Sequence, residues 1–346
     1  MNNNKALHYY AFCTAVATLL LIFAGGLVTS TQSGLSVPDW PLSYGQVMPP
    51  MVGGIFYEHG HRMVATAVGF LTTILAFWLW RKEERKWLRV LGFVALTSVI
   101  TQGVLGGLTV LFLLPTPISM SHATLAQTFF AIVASITLFT SPWWKSDIPR
   151  LPQSDKGISF FNLAALTTGA VYIQLVLGAL MRHTQSGLAV PDFPFAYSQL
   201  FPSVTPLALE KYNDYLMQND IRIFGDGPIT AAQILIHMTH RLWACVAAGM
   251  IAWTTVRILR TPNPHRRIIT FGMILPALLI VQITLGAFTV VTQKSVAITT
   301  AHVATGAILL VTCVLFTLHV WKLYGRRGNG TRGASVYRSA SRTTAR

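Results

Sequence analysis

The chain has 346 residues, 52% hydrophobic and only 11% charged, with a formal net charge of +15. An ordinary soluble domain carries about 25% charged residues, so this composition excludes a water-soluble globular protein and points to a lipid bilayer. The basic excess is not a nucleic-acid footprint, because 20 of the 26 Lys and Arg fall at one set of helix ends: Lys5, residues 81–89, 145–156, 257–267, Lys322 and the tail. By the positive-inside rule both termini then lie in the cytoplasm.

Eight apolar runs are each near the roughly 20 residues that span the hydrocarbon core. The first, about 8–29, is long enough to cross and has no clear small-residue cleavage site, so it reads as a retained helix of a bacterial plasma-membrane protein. The second, about 62–80, follows His61, and the third, about 90–113, contains TQGVLGGLTV. The fourth, about 121–140, opens on His122, and the fifth covers about 160–181. The sixth to eighth are about 235–256, opened by His240, about 268–291, and about 299–321, opened by His302.

The second half repeats the first. GGLVTSTQSGLSVPDWPLSYGQVMPP (25–50) returns as GALMRHTQSGLAVPDFPFAYSQLFPS (178–203), and TQGVLGGLTV (101–110) as VQITLGAFTV (281–290). The offset rises from 153 to 180 between these matches, which places an insertion near 204–230, solvated by Glu210, Asp214, Asp220 and Asp226. Each copy holds an even number of helices, so the copies run the same way through the membrane.

The expected fold is therefore all-α and integral to the membrane: eight transmembrane helices in two tandem four-helix bundles related by a pseudo-twofold axis. The bundles cover 1–143 and 159–323, joined by a cytoplasmic linker at 144–158, and a basic, disordered tail at 324–346 touches anionic lipid. The three cysteines, Cys13, Cys245 and Cys313, fall inside helices and read as small core residues.

The separation of His61 from His122 matches that of His240 from His302 to within one position, and with both termini inside all four sit near the outer face. Polar groups in a bilayer are costly, so matched pairs of inward imidazoles point to two bis-histidine haem sites between helices. Zinc or copper is the competing ligand, but cysteine and carboxylate partners are sparse. Arg62 and Arg241 follow the first histidine of each pair and are candidates for haem propionates, or else snorkel to the interface. Glu58 stands one helical turn before His61, and the matching position before His240 is His237. An isolated glutamate beside an apolar cofactor suits proton transfer, so the halves are expected to differ in role, one catalytic and one holding a cofactor.

Asp39 and Asp192 are expected to set turns between prolines, and Trp40 and Phe193 to cover a porphyrin edge or lie at the interface. Gly106, Gly107 and Gly286 are expected to admit a close helix or a haem ring. His59 and His183 have no histidine at the matching repeat position and read as loop or interface residues.

In order along the chain, the TxSGLxxPDWP loop, the E-x-x-H-R start of the second helix, the QxxLGGxTV run and the three further helix-opening histidines resemble the haem A synthase family over about residues 10–320. Its members oxidise a methyl group of haem O to the formyl group of haem A for terminal oxidases. The resemblance implies that His61 and His122 hold the substrate haem, that Glu58 is required for the oxidation, and that His240 and His302 hold a permanent haem b relaying electrons. Haem O synthase and oxidase-assembly proteins are the implied partners, alongside membrane lipid, an electron donor and a second copy of the chain; nucleic acid is not expected. Many members carry cysteine pairs flanking the PDWP segment, where this chain has Val37 and Ser43, and Val190 and Ala196, so its loops are expected to be held by packing alone.

Iron with two histidine ligands has no open position. Either one ligand leaves, or the methyl group loses electrons through the ring and is attacked by water, with Glu58 stabilising a developing cation or deprotonating the water. Two other functions share the four histidines: a di-haem b-type cytochrome passing electrons to or from quinone, and a haem carrier.

Overall fold

The computed structural model describes residues 5–151, 157–221 and 227–324. The expected tail at 325–346 and parts of the linker and insertion, including Lys156 and Asp226, lie outside them.

All eight expected spans are helices: α1 (Lys5–Ser30), α2 (Gly53–Lys82), α3 (Lys86–Leu111), α4 (Thr116–Thr140), α6 (Phe160–His183), α8 (Ala231–Leu259), α9 (Arg266–Val291) and α10 (Val296–Tyr324). Two shorter helices join them, α5 (Pro142–Lys145) in the linker and α7 (Pro206–Gln218) in the insertion. Hydropathy located the apolar middles but not the starts. The second helix begins at Gly53, well before its apolar run, and is 30 residues long. At about 1.5 Å per residue it reaches about 45 Å, more than the roughly 30 Å of the hydrocarbon core. The helix is therefore longer than the apolar layer needs, and its early turns bring Glu58 to the loop at Val37. The equivalent α8 begins with a capping box, in which Thr230 and Gln233 satisfy each other's backbone N–H groups.

Helices α1 to α4 pack on one another, as do α6, α8, α9 and α10, and the two sets meet along α1–α10, α4–α6 and α4–α10. One apolar cluster centres on Leu75, Leu79, Phe129 and Ile136, another on Phe160, Ile251, Leu275 and Phe316. Polar contacts stitch the seam. Arg182 donates to Gly26 O at 3.3 Å and Ser30 Oγ at 3.1 Å, Thr300 donates to the same hydroxyl, and Thr128 and Tyr172 hydroxyls lie 3.0 Å apart. At the opposite end, Lys322 Nζ donates to the carbonyls of Trp143, Trp144 and Ser146, and tethers the α5 connector to α10.

The two long loops that follow α1 and α6 repeat as closely as the helices. Ser43 bridges Gln46 and Ala196 bridges Gln199; Trp40–Pro41 and Phe193–Pro194 are both cis. Asp39 accepts from the backbone N–H groups of Tyr44 at 2.6 Å and Gly45 at 2.8 Å. Asp192 accepts from those of Tyr197 at 2.8 Å and Ser198 at 3.1 Å. This is the turn-setting role expected of both aspartates. The insertion is a helix laid over the second loop: Tyr212 of α7 stacks on Tyr197 at 3.7 Å while Glu210, Asp214 and Asp220 face outward.

Two expectations need correction. Cys313 is buried, but Cys13 and Cys245 are exposed on the helix surfaces, because a helix in lipid gains nothing by hiding a small apolar residue. Nor are the cysteine-free loops held by packing alone. Val37, Ser43, Val190 and Ala196 are buried, yet the loop backbone is also pinned by arginine.

Candidate functional site

Each motif histidine rests on a glycine of the preceding membrane helix. A Cβ built on Gly25 of α1 would lie 3.1 Å from His61 Cε1, and one on Gly106 of α3 3.1 Å from His122 Cε1. In the second half, Gly178 of α6 seats His240 at 3.1 Å and Gly286 of α9 seats His302 at 3.0 Å. His61 lies within electrostatic reach of His122, and His240 of His302. Repeat and spacing thus bring the four residues together as two pairs in the two helix sets, with the small-residue approach expected at Gly106 and Gly286.

Three of the seats carry a glutamine one helical turn before the glycine, which puts both residues on one helix face. Gln102 donates to His122 O at 2.9 Å, and Gln174 to His240 O at 3.1 Å. Gln282 Nε2 lies 3.5 Å from His302 Nε2. His122 Nδ1 lies 3.2 Å from the main-chain carbonyl of Gln102 and 3.1 Å from its side-chain Nε2, so Gln102 partners that nitrogen in either tautomer. A pair of imidazoles in each half is the donor set that a bis-histidine haem takes, and in the second half Gln174 Nε2 lies 3.2 Å from both His240 ring nitrogens. Among the described residues no cluster of three or more His, Cys, Asp or Glu forms a metal cage, which leaves zinc or copper without a ligand set. These glutamines were missed as functional from sequence; the thrice-repeated Q-x-x-x-G was the available signal.

Glu58 and His237 occupy equivalent places and do different chemistry. Glu58 is 4% exposed; its Oε1 accepts from Arg62 Nη2 at 2.7 Å and its Oε2 from the Val37 N–H at 2.9 Å. It is therefore not the isolated glutamate expected, because Arg62 lies one turn on along the same helix face. His237 is equally buried, donates from Nδ1 to Ser186 O at 3.0 Å and accepts at Nε2 from Arg241 Nε at 2.9 Å. The first half presents a carboxylate where the second presents a neutral imidazole.

Both arginines are engaged with the loops. Arg62 donates to the carbonyls of Asp39 at 2.8 Å, Leu42 at 2.9 Å and Val37 at 3.3 Å. Arg241 donates to those of Phe195 at 2.9 Å, Val190 at 3.1 Å and Asp192 at 2.6 Å. Five fixed donors suit a turn that presents several carbonyls inward, and each arginine clips its loop onto the helix beneath.

Trp40 and Phe193 also part company. The Trp40 indole lies flat on Gly107, where a Cβ would come within 2.6 Å of Cδ2, so Gly107 admits this loop side chain and neither a helix nor a haem ring. Phe193 lies under the Arg241 guanidinium, 5.7 Å away, within cation–π range. His59 is not a loop residue: it is buried in α2, with Nδ1 2.8 Å from Ser43 Oγ. At the matching places the second half has Ala196 and Met238, packed in one apolar cluster. His183 closes α6, its carbonyl accepting from Thr116 Oγ1.

The chain is 29% identical over 308 residues to the Heme A synthase of Geobacillus kaustophilus, covering 86% of each chain. It is 27% identical to that of Halalkalibacterium halodurans, covering 91% of this chain and 95% of the relative, and 24% identical to that of Shewanella oneidensis, covering 89% and 94%. The profile of the COX15-CtaA family, described as cytochrome oxidase assembly protein, matches residues 8–53 and 52–314. With nearly the whole described chain inside that match, the protein belongs to the COX15-CtaA family of cytochrome oxidase assembly proteins.

Proposed function

We propose that the protein is a haem A synthase of a bacterial plasma membrane, oxidising a peripheral methyl group of haem O to the formyl group of haem A. Relatives carrying that name along most of their length favour this activity over a di-haem electron-transfer cytochrome or a haem carrier. The observation that carries the assignment of roles is the pair of matched glycine–histidine sets that differ in the buried partner of the arginine, Glu58 against His237. His61 and His122 hold the substrate haem, and His240 and His302 hold a haem b that passes electrons on. The bound haems supply the iron, a conjugated ring that conducts electrons and, in the first half, the methyl group that reacts.

Glu58 takes up or stabilises positive charge released at the methyl group. Arg62 keeps the carboxylate aimed, and Val37 N–H fixes its second oxygen. His237, with both ring nitrogens engaged, is built to stay neutral. The two four-helix bundles, 1–143 and 159–323, are related by a pseudo-twofold axis along the membrane normal. Both termini lie in the cytoplasm, as the basic helix ends require, and the histidine seats lie near the outer face. Haem O synthase and oxidase-assembly proteins are the partners in this scheme.

Pigment extraction after co-expression with a source of haem O tests the function. Haem A is expected from the wild type, and unmodified haem O with retained haem b from Glu58→Gln and Glu58→His. The histidine variant retains the partner that Arg241 has in the second half, so its failure to oxidise isolates the need for a carboxylate. Recovery of only haem B and haem O from the wild type refutes the activity; haem A from Glu58→His refutes the role of Glu58.

A further inference from the structure

The four histidine seats are not equal. In three of them a glutamine stands one turn before the glycine: Gln102 and Gly106, Gln174 and Gly178, Gln282 and Gly286. In the fourth, at His61, the pair is Leu21 and Gly25. Leu21 packs into the apolar cluster of the first helix set and has no polar group to offer. The consequence is visible at the ring: His61 Nδ1 is buried with no hydrogen-bond partner, whereas His122, the other member of the pair, has Nδ1 on the Gln102 carbonyl and its own carbonyl on the Gln102 side chain. His302 Nδ1 is also unpartnered, but Gln282 stands beside that ring. Of the four, only His61 has both the orphaned nitrogen and the missing glutamine.

An imidazole whose Nδ1–H is bonded is fixed in tautomer and orientation and is the more basic ligand; losing such a partner typically weakens metal affinity about 10- to 100-fold. Within the first pair, one ring is clamped and the other is held by contact alone. We propose that His61 is the displaceable axial ligand of the haem in the first bundle, loosened because Leu21 stands where the other three seats have glutamine, while His122 anchors that haem. This rests on the two-haem assignment above. It turns the choice between a departing ligand and a permanently closed iron into a property of one side chain.

Carbon monoxide binding to the dithionite-reduced, haem-loaded protein is the test, read from the visible spectrum, with haem content measured alongside. Carbon monoxide takes an axial position only when a histidine yields it. The wild type is expected to bind carbon monoxide at the haem of the first bundle and not at the second. Leu21→Gln should weaken that binding about tenfold, the worth of one recovered hydrogen bond, and Leu21→Met, similar in length but without the polar group, should match the wild type. His61→Ala should keep its haem and bind carbon monoxide more tightly, whereas His122→Ala should lose the haem. Unaltered binding in Leu21→Gln overturns the proposal, as does haem retained by His122→Ala but lost by His61→Ala. A haem content that neither histidine variant changes overturns the two-haem assignment itself, and with it this inference.

Discussion

Replacing Gly106 by alanine adds one methyl group at the point where α3 meets His122. The new Cβ would lie 3.1 Å from Cε1 and 3.6 Å from Nδ1. Ordinary carbon contacts begin at about 3.5 Å, so the ring must retreat by about 0.4 Å or more. The ring is restrained against doing so, since Gln102 holds both its nitrogen and its carbonyl. Overpacking of this kind costs about 1–3 kcal/mol. If the whole cost falls on ligation, haem affinity drops about 5- to 150-fold. Gly103 provides the internal control: it lies on the same helix, and a Cβ there meets nothing within 4 Å. Alanine at 103 is expected to be neutral or to stabilise the helix by up to about 1 kcal/mol. Haem-to-protein ratio and the rate of haem transfer to apomyoglobin measure the difference. Equal haem retention by the two variants would refute the view that the glycine seat positions the ligand.

The same substitution at Gly286 should remove the low-spin haem b signal while leaving haem O bound and unoxidised, as seen by absorbance and pigment extraction. Arg241→Ala releases three loop carbonyls and leaves the His237 Nε2 acceptor buried and unmatched. A loss of about 3 kcal/mol is expected, with faster proteolysis of residues 184–203, and Arg241→Lys should not restore stability because an ammonium cannot span the same acceptors. Glu58→Gln leaves Arg62 its carbonyl partners, so its stability cost should be smaller, about 1–2 kcal/mol in thermal unfolding, although oxidation is lost. Asp39 is held below the ordinary carboxylate range by the backbone N–H groups of Gly45 and Tyr44. Its contribution to the loop is complete above about pH 4 and fades as the pH falls through its lowered value. Cleavage of the 39–45 turn by an acid-active protease should accelerate only below that point, and Asp39→Asn should abolish the dependence.

Much of the architecture was legible because its signals are local and repeated. Apolar runs of spanning length, basic residues at alternate helix ends and a motif recurring at a fixed offset need no knowledge of contacts. The pairing of the histidines followed from their spacing, and the contrast of Glu58 with His237 from aligning the two copies. What stayed hidden depends on rotamers and on chain segments distant in sequence. Arg62 was legible as a charge beside a histidine, but not as the clip for the loop that holds Val37 and Leu42. His59 read as a loop or interface residue because its matching repeat position holds no histidine, whereas α2 starts at Gly53 and buries it against Ser43.

The sequence by itself determined the bilayer, the eight spans, the duplication, the four histidines and the contrast of Glu58 with His237, since each is a matter of composition, periodicity or offset. Only the tertiary structure decided which side chains hold those histidines and which do not. Whether a nitrogen is satisfied depends on what the next helix places within about 3 Å, and neither Leu21 nor Gln102 reveals its importance until the helices are packed.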